Sequence, residues 1–150
     1  MFRQAVLFAA AAFLVVVPAP GAFAQNAIAT ADGETTGIRI EITELSRTSG
    51  ETVTLKFRII ADSGVEATPY ELMESSDLRE VHLVDAAGKK KYLVIKDSDG
   101  KCVCSGGLKQ QSMSGKSMNL WARFPAPPAE VKEVSVVFPH FIPTDAPIAD

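Results

Sequence analysis

Short segments of alternating apolar and polar residues constrain the fold of this chain most strongly. The clearest is residues 53–59, where Val53, Leu55, Phe57 and Ile59 alternate with polar residues, as in a half-buried strand. About seven such segments occur, with turn-forming residues roughly every 8–12 positions, and none has the period of a long amphipathic helix. The sequence therefore predicts an all-β, antiparallel β-sandwich. Its strand count is immunoglobulin-like, although the Cys–Trp–Cys spacing of true immunoglobulin domains is absent.

The predicted strands cover most of the chain after residue 37. They are residues 38–42, 53–59, 79–85, 89–96, a short strand containing Cys102 and Cys104, 118–123 and 131–138. A single helical turn is predicted at residues 70–73. In the hairpin turn between residues 85 and 89, Gly88 is the expected positive-φ residue. The pattern leaves open whether Trp121 faces the core or solvent.

The first 24 residues have the layout of a secretory signal peptide. Arg3 gives a basic start, residues 5–17 are continuously apolar, and Ala22-Phe23-Ala24 supplies the small residues of a cleavage site before Gln25. The apolar run is too short for a membrane span, which needs about 20 residues. We therefore expect cleavage between Ala24 and Gln25 and a secreted or periplasmic protein, with no transmembrane segment after signal removal.

The remaining 126 residues suit one domain. We expect a flexible segment at residues 25–37, the sandwich at 38–142 and an extended tail at 143–150. Of the 15 basic residues only Arg3 is lost with the leader, which leaves 14 basic against 18 acidic side chains. A surface with this mildly acidic charge has no footprint for nucleic acid.

The Cys102-Val103-Cys104 spacing is the most informative local feature. On a strand, both side chains lie on one face, with Cα atoms about 6.6 Å apart. This is near the upper limit for a disulfide, so a bridge requires the backbone to bend. In an exported protein we expect the pair to be oxidised. Thiol–disulfide chemistry and two free buried thiols are the alternatives.

A soft-metal site is a further alternative. Cys102, Cys104, Met113 and Met118 carry the sulfur ligands that Cu(I) prefers. His82 and His140 are isolated in the sequence, and nothing in the chain resembles a nucleophile elbow or a zinc-binding helix. We therefore expect no catalytic residues and no cofactor.

Part of the chain resembles a known group of proteins. The resemblance lies in Lys91-Tyr92-Leu93-Val94, in the string from Asp97 to Ser105, in Leu120-Trp121-Ala122-Arg123-Phe124 with the prolines at 125–128, and in the strand at residues 51–57. These strings resemble secreted bacterial immunoglobulin-like domains of unknown function. Such domains occur alone or ahead of a cell-wall-binding domain similar to the C-terminal part of outer membrane protein A. The resemblance covers about 80 of the 126 residues after the leader and implies no activity and no site residues.

These observations predict an exported, non-catalytic β-sandwich module of the cell envelope. Its role would be structural or would involve an unknown envelope or extracellular protein partner. The alternative is a copper-binding or thiol-redox protein that uses the C-x-C pair.

Overall fold

Almost all of the regular structure in this protein is β-strand. The computed structural model describes residues 26–49 and 51–150. Within these ranges lie eight strands and one short helix: β1 (Ala29–Asp32), β2 (Ile38–Thr48), β3 (Thr52–Ala61), α1 (Pro69–Met73), β4 (His82–Asp85), β5 (Lys90–Leu93), β6 (Ser117–Pro125), β7 (Glu133–Val137) and β8 (Thr144–Pro147). The strands form two four-stranded antiparallel sheets. The predicted all-β fold with two antiparallel sheets is confirmed.

The first sheet has the strand order β1-β2-β3-β6. Val53, Leu55, Phe57 and Ile59 of β3 are buried, as their alternation predicts, and the polar residues between them lie on the outer face of the sheet. Because β3 lies between β2 and β6, these inward residues sit near the middle of the core. β6 is left at the edge of the sheet.

A β-bulge extends β2 beyond the predicted residues. Ile42 pairs with Phe57 but Glu44 pairs with Lys56, so Thr43 is an extra residue between the two pairs. The bulge allows Ile42 and Leu45 to be buried on the same face, although they are three residues apart. The bulge interrupts the alternation of apolar and polar residues after Ile42. The sequence pattern therefore does not predict that the strand continues to Thr48.

The second sheet has the order β5-β4-β7-β8 and contains the predicted hairpin. Asp85 of β4 pairs with Lys90 of β5, and Gly88 N–H donates to Asp85 Oδ1 (3.0 Å). The expectation of a positive φ at Gly88 was wrong, since Lys89 adopts it instead (φ 52°). Gly88 is favoured for a different reason, because a Cβ atom there would meet Asp85 Oδ2 and the carboxylate that accepts from residue 88 would have to move.

β4 begins three residues later than predicted because Asp77 organises a turn. Its Oδ1 accepts hydrogen bonds from the backbone N–H (3.0 Å) and Nε (2.9 Å) of Arg79. The side-chain hydrogen bond from Arg79 is the main cause that lowers the pKa of Asp77 to about 2. This local pairing holds Arg79 outside the sheet.

The predicted helical turn is present as α1, where Thr68 caps the helix by accepting a hydrogen bond from Glu71 N–H (3.2 Å).

Two segments that were expected to be irregular contain strands. β1 lies in the predicted flexible segment and pairs with β2, and β8 lies in the predicted tail and pairs with β7. Each strand contributes one small buried residue, Ala31 and Ala146. Alanine and proline have low strand propensity, so these residues do not predict a strand. The two short edge strands form because each pairs with a neighbouring strand.

The two sheets meet through aromatic side chains. The ring centroids of Phe57 on β3 and of Phe138, just after β7, lie 4.8 Å apart. Phe138 in turn contacts Phe141 edge-on at 6.2 Å. These rings join the centre of the first sheet to the second sheet.

Candidate interaction site

Half of the β6 edge is covered by residues 95–105, which we call the covering segment. Ser105 N–H donates to Trp121 O (2.8 Å), and Arg123 N–H donates to Val103 O (3.0 Å). Ile95 N–H donates to Arg123 O (2.9 Å). The backbone groups of Trp121 and Arg123 that face away from β3 are therefore paired, which protects this part of the edge from other strands.

The covering segment brings Cys102 and Cys104 close together. Their Cα atoms are 5.3 Å apart, within the usual disulfide range, and their sulfur atoms are in contact. Only isolated bridges link the pair to its neighbours, Cys102 to Lys96 and Cys104 to Ala122, so the predicted short strand is not formed. The backbone bends between the cysteines, as a bridge requires.

A tight turn precedes the cysteines. Asp97 Oδ1 accepts hydrogen bonds from the N–H groups of Asp99 and Lys101, both at 2.9 Å. Gly100 has a φ of 76°, a conformation that glycine adopts without steric cost. The turn folds residues 101–105 back over residues 95–97 and onto the β6 edge.

We predict that Cys102 and Cys104 are oxidised to each other when the protein is isolated from an oxidising compartment. Alkylation of the denatured, unreduced protein is expected to leave both residues unmodified, and alkylation after reduction is expected to modify both. Because the closed loop is so short, the bridge should stabilise the fold by less than the roughly 2–4 kcal/mol of longer loops. Intact-mass measurement reports both states, and two modified cysteines before reduction would contradict the bridge.

Trp121 is exposed on the outer face of the first sheet. Its neighbours Leu120 and Ala122 point inward, while 41% of Trp121 remains accessible. Its backbone is fixed on one side by the register with Lys56 and on the other by Ser105, whose Oγ accepts from Trp121 N–H (2.9 Å). The structure thus answers the question that the sequence left open and places a large aromatic group on a rigid strand.

Elsewhere on this outer face, two basic side chains form ion pairs with carboxylates. Arg58 Nε lies 2.6 Å from Glu41 Oε2, and Lys56 Nζ lies 2.7 Å from Glu44 Oε2. The hydrogen bond from Arg58 lowers the pKa of Glu41, and the hydrogen bond from Lys56 lowers the pKa of Glu44. Trp121 therefore lies opposite a paired lysine, Lys56, and two residues before Arg123, which forms no ion pair among the described residues.

The four sulfur residues of the copper hypothesis do not gather in one place. Cys104 lies opposite Ala122, and Met118 is four residues earlier on β6, a distance of about 13 Å along a strand. Met113 is buried and lines a groove together with Met118, away from the cysteines. In the part of the chain that the structure describes, no group of three or more His, Cys, Asp or Glu residues is placed to hold a metal ion.

The two histidines lie at separate positions. His82 is half-buried on β4, with Nδ1 3.1 Å from Glu80 O. His140 lies between two carboxylates, with Nδ1 3.3 Å from Glu34 Oε2 and Nε2 2.9 Å from Glu74 Oε1. No motif in the sequence indicates this group of three, because its members come from distant parts of the chain. All three side chains are largely exposed, which suits a surface tie between loops.

The predicted cleavage position between Ala24 and Gln25 lies outside the described residues. Within residues 26–49 and 51–150, the single helix, α1, lacks the length and apolar character needed to cross a membrane. Comparison of the chain with protein-family models, with curated proteins and with solved structures finds no match.

Proposed function

We propose that this protein is an exported, non-catalytic β-sandwich module that binds a protein partner of the cell envelope through the surface around Trp121. The observation that carries the proposal is the large exposed indole on a strand whose backbone is fixed on both sides. Export is inferred from the leader-like residues 1–24. Two four-stranded antiparallel sheets support, at a coarse level, the immunoglobulin-like type suggested by the resemblance.

Trp121 has the properties of an anchor residue in an interface. Tryptophan is enriched among the few residues that dominate binding energies, because it buries a large area with few rotatable bonds. The strand around Trp121 is already ordered, so binding would not have to fix the backbone. The Arg58–Glu41 and Lys56–Glu44 ion pairs on the same face can form part of a polar rim around the indole.

Replacement of Trp121 by alanine tests this function. The chain from Gln25 onward, immobilised through an added N-terminal tag, is incubated with solubilised envelope proteins of its native host. We expect Trp121→Ala to reduce recovery of a bound partner at least about thirtyfold, the effect of losing a binding hot spot. Stability should change little, because the ring is not part of the core.

Leu93→Ala is the matched control for this experiment. Leu93 is also a large exposed apolar residue, 57% accessible, but it lies on β5 at the edge of the other sheet. Partner recovery should be unchanged in this variant. Equal recovery by wild type and Trp121→Ala would contradict the proposed surface, and equal loss in both variants would indicate nonspecific apolar adsorption.

Thiol–disulfide exchange is a second candidate, supported by the close approach of Cys102 and Cys104. The same assay discriminates the two functions through a variant that combines Cys102→Ser and Cys104→Ser. If the protein is a binding module, this variant should retain its partner. Loss of the partner in the cysteine variant, with retention in Trp121→Ala, would favour the redox function instead.

A further inference from the structure

The part of the β6 edge beyond the covering segment is open. Backbone groups on a strand alternate sides, so the groups of Ser117 and Asn119 face the same way as those of Trp121 and Arg123, away from β3. Among the described residues, Ser117 and Asn119 have no hydrogen-bond partner on that side. This stretch therefore offers a short row of backbone donors and acceptors to another strand.

A groove borders this open edge. After Ser105 the chain leaves β6 and is held elsewhere, since Leu108 N–H donates to Ser76 O (2.9 Å) and Met113 N–H donates to Ala67 O (2.9 Å). The space between residues 107–113 and β6 forms a cavity of about 300 Å³. Its width arises from the divergence of two chain segments that are each fixed by the backbone.

The groove has an apolar lining that can adapt its shape. Met113 and Met118 both contribute to it, one buried and one half-buried. Methionine side chains are flexible and polarisable, and they are common where a surface must accept side chains of different shapes. A residue of an added strand that points toward the sandwich would meet these two thioethers.

The charged residues around the groove favour an occupant of one net charge. Lys109 and Lys116 are the charged residues of the lining, and neither forms an ion pair within the described part of the chain. One carboxylate contacts a lining residue without itself lining the groove: Glu66 Oε2 accepts a hydrogen bond from Ser112 Oγ (3.0 Å). The excess is positive, so an approaching segment with carboxylate side chains is favoured.

We propose that the open β6 edge at residues 117–119 binds an extended, acidic segment of a partner protein as an added strand. The backbone groups of Ser117 and Asn119 would pair with the segment, and Lys109 and Lys116 would contact its carboxylates. A second copy of this chain is disfavoured, because pairing two β6 edges would bring four lysines together. This inference goes beyond the proposed function, because it concerns a second surface whose residues do not include Trp121.

Selection from a displayed library of random heptapeptides on the chain from Gln25 onward tests the proposal. Enriched peptides should be acidic and rich in β-forming residues. A synthetic copy of one should perturb the NMR signals of Ser117 and Asn119. Methylating alternate backbone nitrogens of this peptide, on the side that pairs, should abolish binding. Enrichment of neutral or basic peptides, no enrichment, or binding that tolerates this methylation would each overturn the proposal.

A second test of the proposal reverses the charge of the two lysines that line the groove. A variant combining Lys109→Glu and Lys116→Glu should weaken binding of the selected peptide at least about tenfold at low salt. The matched control combines Lys90→Glu and Lys91→Glu on the β5 edge, which changes net charge equally. This control should retain affinity within about threefold. Equal weakening in both would overturn the proposal.

The outcome can be separated from that of the proposed function. Trp121→Ala should bind the selected peptide as the wild type does, because the ring lies beyond the proposed pairing positions. If Trp121→Ala keeps its envelope partner while the lysine variant loses the peptide, the proposed function of the Trp121 surface is contradicted. The proposed strand-binding site at the β6 edge is supported by the same result.

Discussion

Replacing Phe57 with alanine is expected to lower the free energy of unfolding by about 3–5 kcal/mol. Phe57 lies on the interior strand β3, is only 1% exposed, and pairs with Ile42 on one side and Leu120 on the other. Its ring contacts Phe138 across the two sheets. Alanine would remove both the apolar burial and this contact, and strands held on both sides cannot easily close the cavity.

Urea unfolding followed by circular dichroism measures this loss. Phe57→Leu fills most of the cavity and should cost clearly less, so a measurable variant remains even if the alanine variant does not fold. Lys56→Ala, next to Phe57 but facing outward, should change stability by no more than about 0.5 kcal/mol. A loss below about 1 kcal/mol for Phe57→Ala would show that the two sheets do not meet at this residue.

The alternating segments identified most of the fold because their signal is local. Side chains on a strand alternate by geometry, so the burial of Val53, Leu55, Phe57 and Ile59 follows from the order of residues alone. The same reasoning located β6. β1 and β8 were missed because their buried residues are alanines, whose burial depends on a neighbouring strand that the sequence does not reveal.

The candidate site was predictable only in its parts. The C-x-C spacing indicated a close cysteine pair and a bent backbone, which the structure contains. The position of that pair over the β6 edge depends on the pairing of Cys104 with Ala122, eighteen residues later. Exposure of Trp121 and the groove beside Ser117 depend on the same long-range register. No periodicity in the sequence encodes where a covering loop ends.

A second large effect is expected at Arg47, which ties the end of the first sheet to the approach to β7. Its guanidinium donates hydrogen bonds to three backbone carbonyls, those of Pro127 (2.7 Å), Pro128 (2.9 Å) and Val131 (2.9 Å). The side chain is only 20% exposed, and its Nε lies 3.4 Å from Asp150 Oδ1. The prolines in this loop cannot donate backbone hydrogen bonds, so Arg47 supplies donors that the segment itself lacks.

Arg47→Met should lower the free energy of unfolding by about 2–4 kcal/mol, since it keeps much of the side-chain volume but removes all three charged hydrogen bonds. The carbonyl of buried Pro127 would be left without its partner, which adds to the cost. Arg39→Met is the matched control, because the exposed ion pairs of Arg39 with Glu41 and Asp62, both at 3.4 Å, should contribute no more than about 1 kcal/mol. Chemical denaturation of both variants provides the comparison. Equal losses would mean that Arg47 does not hold the 127–131 loop, whereas the expected difference would show that its side chain fastens this loop to the first sheet.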